Sequence, residues 1–369
     1  KRICRLANQW RAALLCAMTF AFTTTNAAAC TVCIELPAET LTDQLWSAET
    51  ILFARPSTAN PFTYEARSVI RGAVEEPIPF LVNATARRHF AQNSETAALV
   101  LRMPDGTWNL RGWGGEDFLQ FVHVILANER TWSDEVDDPE RSQAFRELHA
   151  HHAPNLRRFA LTELSYFPYR DLKSLDVELP TDWIARRLFE ASWFGWQPIL
   201  VHLLGLHADP QAHDLVRRHA MRISANSRVP WLVALIEIDG ETGVDMVVKQ
   251  AISEGPSDEA ADAAVRALAI HVDATPHLVE AIRPALIRLI SDNPDLAAEA
   301  VQAFLRAQDF SIASEVSHIL ENGGVINPAS SFVLTNYVAQ ARAAHMEVLF
   351  GMSLSSGEPD TSGAAGAFQ

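Results

Sequence analysis

Two hydrophobic rhythms divide the chain. Over residues 30–128 apolar and β-branched side chains come in short runs broken by turn residues, the signature of strands. Such runs lie at 49–55 (ETILFAR), 62–70 (FTYEARSVI), 78–82 (IPFLV) and 98–103 (ALVLRM). Pro104-Asp105-Gly106 is a turn signal, and it predicts a returning strand over 108–113. Helices are predicted over 37–46 and 116–127. From residue 139 to residue 350 the period lengthens to that of helices. Leu278, Ile282, Leu286, Leu289 and Ile290 share one face, as do Ala297, Val301, Phe304 and Leu305, while Glu280, Arg283 and Arg288 fall outside the first stripe.

A start signal recurs in this second part. Asp138-Pro139, Asp209-Pro210, Thr275-Pro276, Asn293-Pro294 and Asn327-Pro328 each place a capping residue directly before proline. The cap side chain accepts a backbone N–H, and proline suits the first helical position because its missing N–H would have no intrahelical partner. Comparable helices are predicted near Gln197, Val229, Asp258, Asn293 and Pro328, a repeat of roughly 30 to 36 residues. A single helical hairpin cannot cover both its apolar faces, so stacked hairpins are expected. The polar, acidic stretch 129–138 is expected to be a linker, and the Gly/Ser/Ala-rich stretch 351–369 a disordered tail.

Two resemblances attach to these patterns. DAAVRALAIHV (262–272), LAAEAVQAFLRAQD (296–309) and Pro284 inside a helix resemble bacterial HEAT-like repeats, which implies an all-α solenoid over 139–350. A Cys near the start of the β-rich part, Asp43-Gln44-Leu45-Trp46, the strand ILFAR and Val69-Ile70-Arg71-Gly72 resemble OB-like domains of the netrin and metalloproteinase-inhibitor type. That resemblance implies a small β-barrel over 30–128. The C-x-x-C spacing here differs from the inhibitors' C-x-C, so their zinc-chelating role is not carried over. The expected fold is thus α+β with two domains, a small OB-like β-barrel followed by an all-α HEAT-like solenoid.

The first 29 residues read differently from both parts. Lys1, Arg2, Arg5 and Arg11 precede an apolar run from Ala12 to Phe22, and Asn26-Ala27-Ala28-Ala29 follows. This is the grammar of a secretory signal peptide, and the apolar run is short of the roughly 20 residues needed to span a bilayer. A periplasmic or secreted location is expected. Cleavage after Ala29 would leave 26 Lys+Arg against 45 Asp+Glu, near −19 from a starting −15. Such a charge repels phosphate backbones, so nucleic acid is rejected as the partner.

With Cys4 and Cys16 in the signal, Cys30 and Cys33 are the remaining thiols. Three readings of that pair stand side by side: a local disulfide in an oxidising compartment, lipidation of Cys30 that would tether the chain to the envelope membrane, or a redox or metal dithiol. Isoleucine after Cys33 excludes covalent haem attachment.

Candidate chemistry is sparse. His149, His151 and His152 cluster where a helix ends before Pro154; three imidazoles suit Zn or Cu, and histidine is equally at home at a helix C-terminus. His202, His207, His213 and His219 do not share a face and read as surface or partly buried residues. Trp113 between glycines reads either as an exposed contact or as a ring folded back on the sheet. Trp183, Phe189, Trp193, Phe194 and Trp196 form either a core seam or a binding groove, with Trp113, Trp183, Trp193 and Trp196 the candidate interaction surface. The sequence carries no H-E-x-x-H helix, G-x-S-x-G elbow, P-loop or dinucleotide fingerprint, so no cofactor is expected; an active site of scattered residues would escape such a search. The reading is an exported binding or scaffold protein that offers a helical-repeat surface to a protein or peptide. The alternative is an extracytoplasmic metal-handling or thiol-redox protein acting through Cys30 and Cys33.

Overall fold

The computed structural model describes residues 39–132, 139–223, 228–253, 258–322 and 327–350. The stretch expected to be a signal peptide, all four cysteines and the stretch 351–369 expected to be a tail lie outside the described residues.

The fold is α+β: a small antiparallel sheet followed by helices. Strands β1 (Thr50–Pro56), β2 (Tyr64–Arg71), β3 (Ala97–Arg102) and β4 (Trp108–Gly114) pair in the order β2-β1-β3-β4. The central strands β1 and β3 are buried on both faces, and side chains alternate along a strand, so they feed two cores. Ile51, Phe53, Leu99 and Leu101 face helices α1 (Leu41–Ser47) and α3 (Glu116–Ala127). Leu52, Ala54, Ala98 and Val100 face Tyr64, Ile78, Val82 and helix α2 (Ala84–Gln92).

The β-rich part departs from expectation in two ways. Residues 78–82 form no strand and contribute only an isolated bridge, Thr63 to Leu81. Pro77 and Pro79 have no N–H to give a ladder. The four described strands therefore make an open sheet with β2 and β4 at its edges. Helix α2 was not predicted, because ATARRHFAQ buries only Ala86 and Phe90; its signal was Asn83, whose Oδ1 accepts the Ala86 N–H at 2.8 Å.

Short α4 (Glu129–Trp132) occupies the start of the stretch expected to be a linker. Trp132 is buried beside Phe145, because an indole leaves water more readily than the acids after it; residues 133–138 lie outside the described residues. Arg71 ties this region together, donating to the carbonyls of Leu45 (3.2 Å) and Trp46 (3.1 Å) at the end of α1 while pairing with Glu129.

Beyond the sheet run α5 (Pro139–Leu148), α6 (Pro154–Leu164), α7 (Tyr169–Ser174) and α8 (Thr181–Arg187), then a 3-10 turn over Ala191–Trp196. Next come α9 (Gln197–Leu206), α10 (Pro210–Ala220), α11 (Val229–Asp239), α12 (Glu241–Ser253) and α13 (Asp258–Ala274). The last four are α14 (Val279–Asp292), α15 (Ala297–Arg306), α16 (Ala313–Glu321) and α17 (Pro328–Phe350).

A helix begins at each predicted start, two of them through a 3-10 turn, and the Asp138 cap lies outside the described residues. Asp209 caps α10 through the Gln211 N–H (2.9 Å), and Asn327 accepts the Ala329 N–H (2.9 Å). At Thr275 and Asn293 a 3-10 turn comes first and the side chains point elsewhere, Thr275 to His271 and Asn293 to the Leu289 carbonyl.

Odd-numbered helices α9, α11, α13, α15 and α17 pack each on the next, and α12, α14 and α16 pack in sequence behind them. Helix α13 lies in the middle of this arrangement and is buried almost all round, which is why its face is alanine. Buried apolar side chains continue from Leu41 through these helices to Val338. A tight approach comes at Gly205 of α9, where a Cβ would sit 2.7 Å from the Ala234 Cα of α11. Gly205→Ala is expected to cost about 1–3 kcal/mol through overpacking, read as a lower urea midpoint; an unchanged midpoint would mean that the two helices slide apart freely. No helix among the described residues is long and apolar enough to cross a membrane.

Candidate functional site

The aromatic cluster is neither a plain core seam nor an empty groove. It is a ladder in which arginines alternate with tryptophans. Arg157 and Arg158 come from the first turn and a half of α6, Trp183 and Arg187 from one face of α8, and Trp193 and Trp196 from the 3-10 turn. Trp183 carries the guanidiniums of Arg187 (4.0 Å) and Arg157 (4.9 Å). Trp193 carries Arg158 (4.7 Å) and Arg187 (5.5 Å), and Arg158 also reaches Trp196 (5.3 Å). Between the cations the indoles meet edge to face, Trp183 with Trp193 at 5.3 Å and Trp193 with Trp196 at 5.6 Å. A Trp196 N–H bond to Thr162 Oγ1 (2.9 Å) fixes the far end. Trp193 is buried, Trp183 and Trp196 are half-buried, and Phe189 and Phe194 beside them are exposed.

The electrostatics of the ladder are unusual for an acidic chain. Arg157, Arg158 and Arg187 make no ion pair with a carboxylate among the described residues. Burial, and then the neighbouring Arg187 charge, pull Arg157 and Arg158 below the usual guanidinium range. Glu190 is felt by Arg158 without pairing to it.

A second concavity lies where α6 runs into α7. It encloses about 610 Å³ between the segment Leu164–Leu172, Pro198, Ile199 and His202 of α9, Ile270 and Asp273 of α13, and Arg306 of α15. Its walls are more apolar than polar, and charges of both signs lie among the lining residues, with Arg306 3.7 Å from Asp273. One wall is held by a polar strut. Glu237 of α11 accepts the Tyr169 hydroxyl (3.3 Å) and the Lys173 ammonium (2.9 Å). Lys173 also donates to Thr275 Oγ1 (3.2 Å), which bonds His271 Nδ1 (2.9 Å). The His271 Nε2–H donates to the Val233 carbonyl (3.0 Å). Burial first, then the Glu237 charge, lift the Tyr169 hydroxyl well above its ordinary value. Burial pushes His271 down to about 4, and burial with the His271 charge does the same to His202. Each acid, base and amine of the strut is engaged with another, so it clamps α7 across α11 and α13 rather than offering a reactive group.

The histidine cluster divides. His149 turns both ring nitrogens to carbonyls, those of Arg146 and Glu178 (Nε2 at 2.8 Å), and so leaves the group. His151 and His152 meet Asp117 instead, each Nε2 3.7 Å from its Oδ2. Two imidazoles and a carboxylate suit a divalent transition metal. The tautomer of His151 does not. Its Nδ1 accepts the Ala153 N–H (3.1 Å), which puts the ring proton on the Nε2 that would have to ligate. We assign no metal centre to His149, His151 and His152. His207 and His213 bond backbone carbonyls, and His219 packs between Phe189 and Trp231.

Trp113 folds back on the sheet, against His89 (5.2 Å) and Phe90 (6.1 Å), while its carbonyl accepts from Asn155. Its ring contacts are with α2 rather than with the rings of the ladder. Cys30 and Cys33 lie outside the described residues. The three arginines went unnoticed in the sequence because nothing in the spacing of Arg157, Arg158 and Arg187 singles them out from other helical arginines. Comparisons with protein-family models, with curated proteins and with solved structures found no match.

Proposed function

We propose that this chain is an exported binding or scaffold protein, whose helices form a HEAT-like solenoid that offers one face to a protein or peptide. The observation that carries the reading is the cavity of about 610 Å³ formed by three helices of one layer, α9, α13 and α15, and walled by the clamped α7. A site of this size with mostly apolar walls and a few polar groups takes a side chain or short segment of a partner. The regular packing of alternate helices supports the solenoid, and the charge and apolar pattern of residues 1–29 supports export. The open sheet lends no support to the OB-like resemblance, and no role is drawn from it.

Selection of displayed random peptides against the purified chain tests the reading. Enriched peptides are expected to bind Ile270→Arg at least about tenfold more weakly, since a buried cation in an apolar wall excludes an apolar side chain. No enrichment, or binding indifferent to Ile270→Arg, would overturn it.

A further inference from the structure

The arginine–tryptophan ladder shares no residue with that cavity, and its chemistry is different. The chain has 45 acidic and 30 basic residues. Several buried or half-buried arginines elsewhere meet carboxylates, Arg141 with Glu163, Arg283 with Asp309 and Arg71 with Glu129, while Arg55 turns to backbone carbonyls and Arg87 lies over the Phe62 ring. What sets the ladder apart is that three such arginines are grouped on shared rings without a carboxylate among them, and like charges so close repel. Stacking on indole offsets part of this, because the ring face is negative, yet it leaves the net positive charge in place. Each Nε–H of the three is shut away with no acceptor. Of the outer ends, Arg157 Nη2 donates to the His151 carbonyl (2.8 Å) and Arg187 Nη1 to that of Trp183 (3.2 Å); the Arg158 guanidinium has no hydrogen-bond acceptor among the described residues.

We infer that Arg157, Arg187 and Arg158, held on Trp183, Trp193 and Trp196, are a docking strip for an acidic peptide segment, with exposed Phe189 and Phe194 receiving an apolar side chain beside its carboxylates. Rings alternate with cations along the ladder, so the charges form a row rather than a single pocket, and a row matches carboxylates spread along a chain. The ligand is short and moderately charged because a chain of −15 repels a long phosphate or sulfate polymer more strongly with every unit added. The exposed phenylalanines distinguish a peptide from a sulfated sugar, which has little apolar surface to place there.

The test is fluorescence anisotropy on the full chain with a labelled peptide carrying three Glu and one Phe, against its Glu→Gln counterpart. The acidic peptide is expected to bind at least about tenfold more tightly than the Gln peptide and to weaken as salt rises. Arg158→Gln with Arg187→Gln should cost a further tenfold or so, and Arg158→Lys less, with the near-ultraviolet circular dichroism of the tryptophans reporting whether the ladder persists. Equal binding of both peptides, or none at millimolar concentration, overturns the inference and leaves the ladder as a packing device. Tighter binding of a heparin hexasaccharide or single-stranded DNA, lost in the same variants, overturns the peptide assignment. The peptide comparison needs no altered protein, and Ile270→Arg should leave it unchanged, so this strip and the cavity stand or fall separately.

Discussion

Glu163→Ala is expected to remove about 3–5 kcal/mol of folding stability, the largest loss from any one side chain considered. Glu163 and Arg141 meet at 2.8 Å with only 1% and 5% of their side chains exposed. The other Glu163 oxygen accepts the Thr42 N–H at 3.1 Å, and the guanidinium lies over Trp46 at 5.2 Å. Truncating the glutamate takes a buried carboxylate away from the Arg141 guanidinium and the Thr42 N–H in a place water does not reach. The pair joins α1, α5 and α6, so the loss should destabilise the sheet-bearing part and the helices together. Two comparisons give the result meaning. Glu49→Ala, which breaks a half-exposed pair with Arg102, should cost no more than about 1 kcal/mol. Glu163→Leu combined with Arg141→Met should recover most of the loss, since an apolar pair of similar volume has no desolvation cost. Urea midpoints decide it: if Glu163→Ala shifts no more than Glu49→Ala, the pair is not buried as described.

The second large effect is a dependence on pH. His271 is fully buried and neutral, its value held down at about 4 by burial, against about 6.5 in an unfolded chain. Unfolding therefore takes up a proton between those values, and stability rises with pH across that interval. The contribution of this histidine is complete above about pH 6.5 and is lost as pH falls towards 4, a change of about 3 kcal/mol. His202, also held near 4, acts in the same direction. Ordinary carboxylates stay ionised down to about pH 4.5, so the upper part of the interval belongs to the histidines. His271→Gln should be less stable at pH 7, having lost ring packing against Tyr169, yet should show a flatter fall between pH 6.5 and 4.5. An identical slope in the variant would mean that His271 is protonated in the folded chain.

Much of the architecture was legible before any coordinates. The 3.6-residue stripes placed α14 and α15, the turn Pro104-Asp105-Gly106 placed β3 against β4, and Asn327-Pro328 placed the start of α17. These are local matters, settled by the spacing of apolar residues and by which residues tolerate a helix end or a turn. Errors came where local preference yielded. Residues 78–82 have the composition of a strand, but Pro77 and Pro79 break the row of N–H donors at its start, and Trp132 in an acidic stretch is drawn into the core by its indole.

The candidate sites were far less legible. The aromatic residues of the ladder stood out, and the arginines between them did not. His271 looked like one more residue of an alanine-rich helix, yet it ends a strut reaching Lys173 and Tyr169, about a hundred residues earlier.

The sequence by itself determined the α+β order of elements and most helix and strand positions, because periodicity, capping and turn chemistry act over a few residues. Only the tertiary structure decided that Glu163 lost its water, that three arginines came together without a carboxylate, and that His149 parted from His151 and His152. Desolvation and charge neighbourhood depend on which distant elements pack against a residue, and that information is spread over the whole chain.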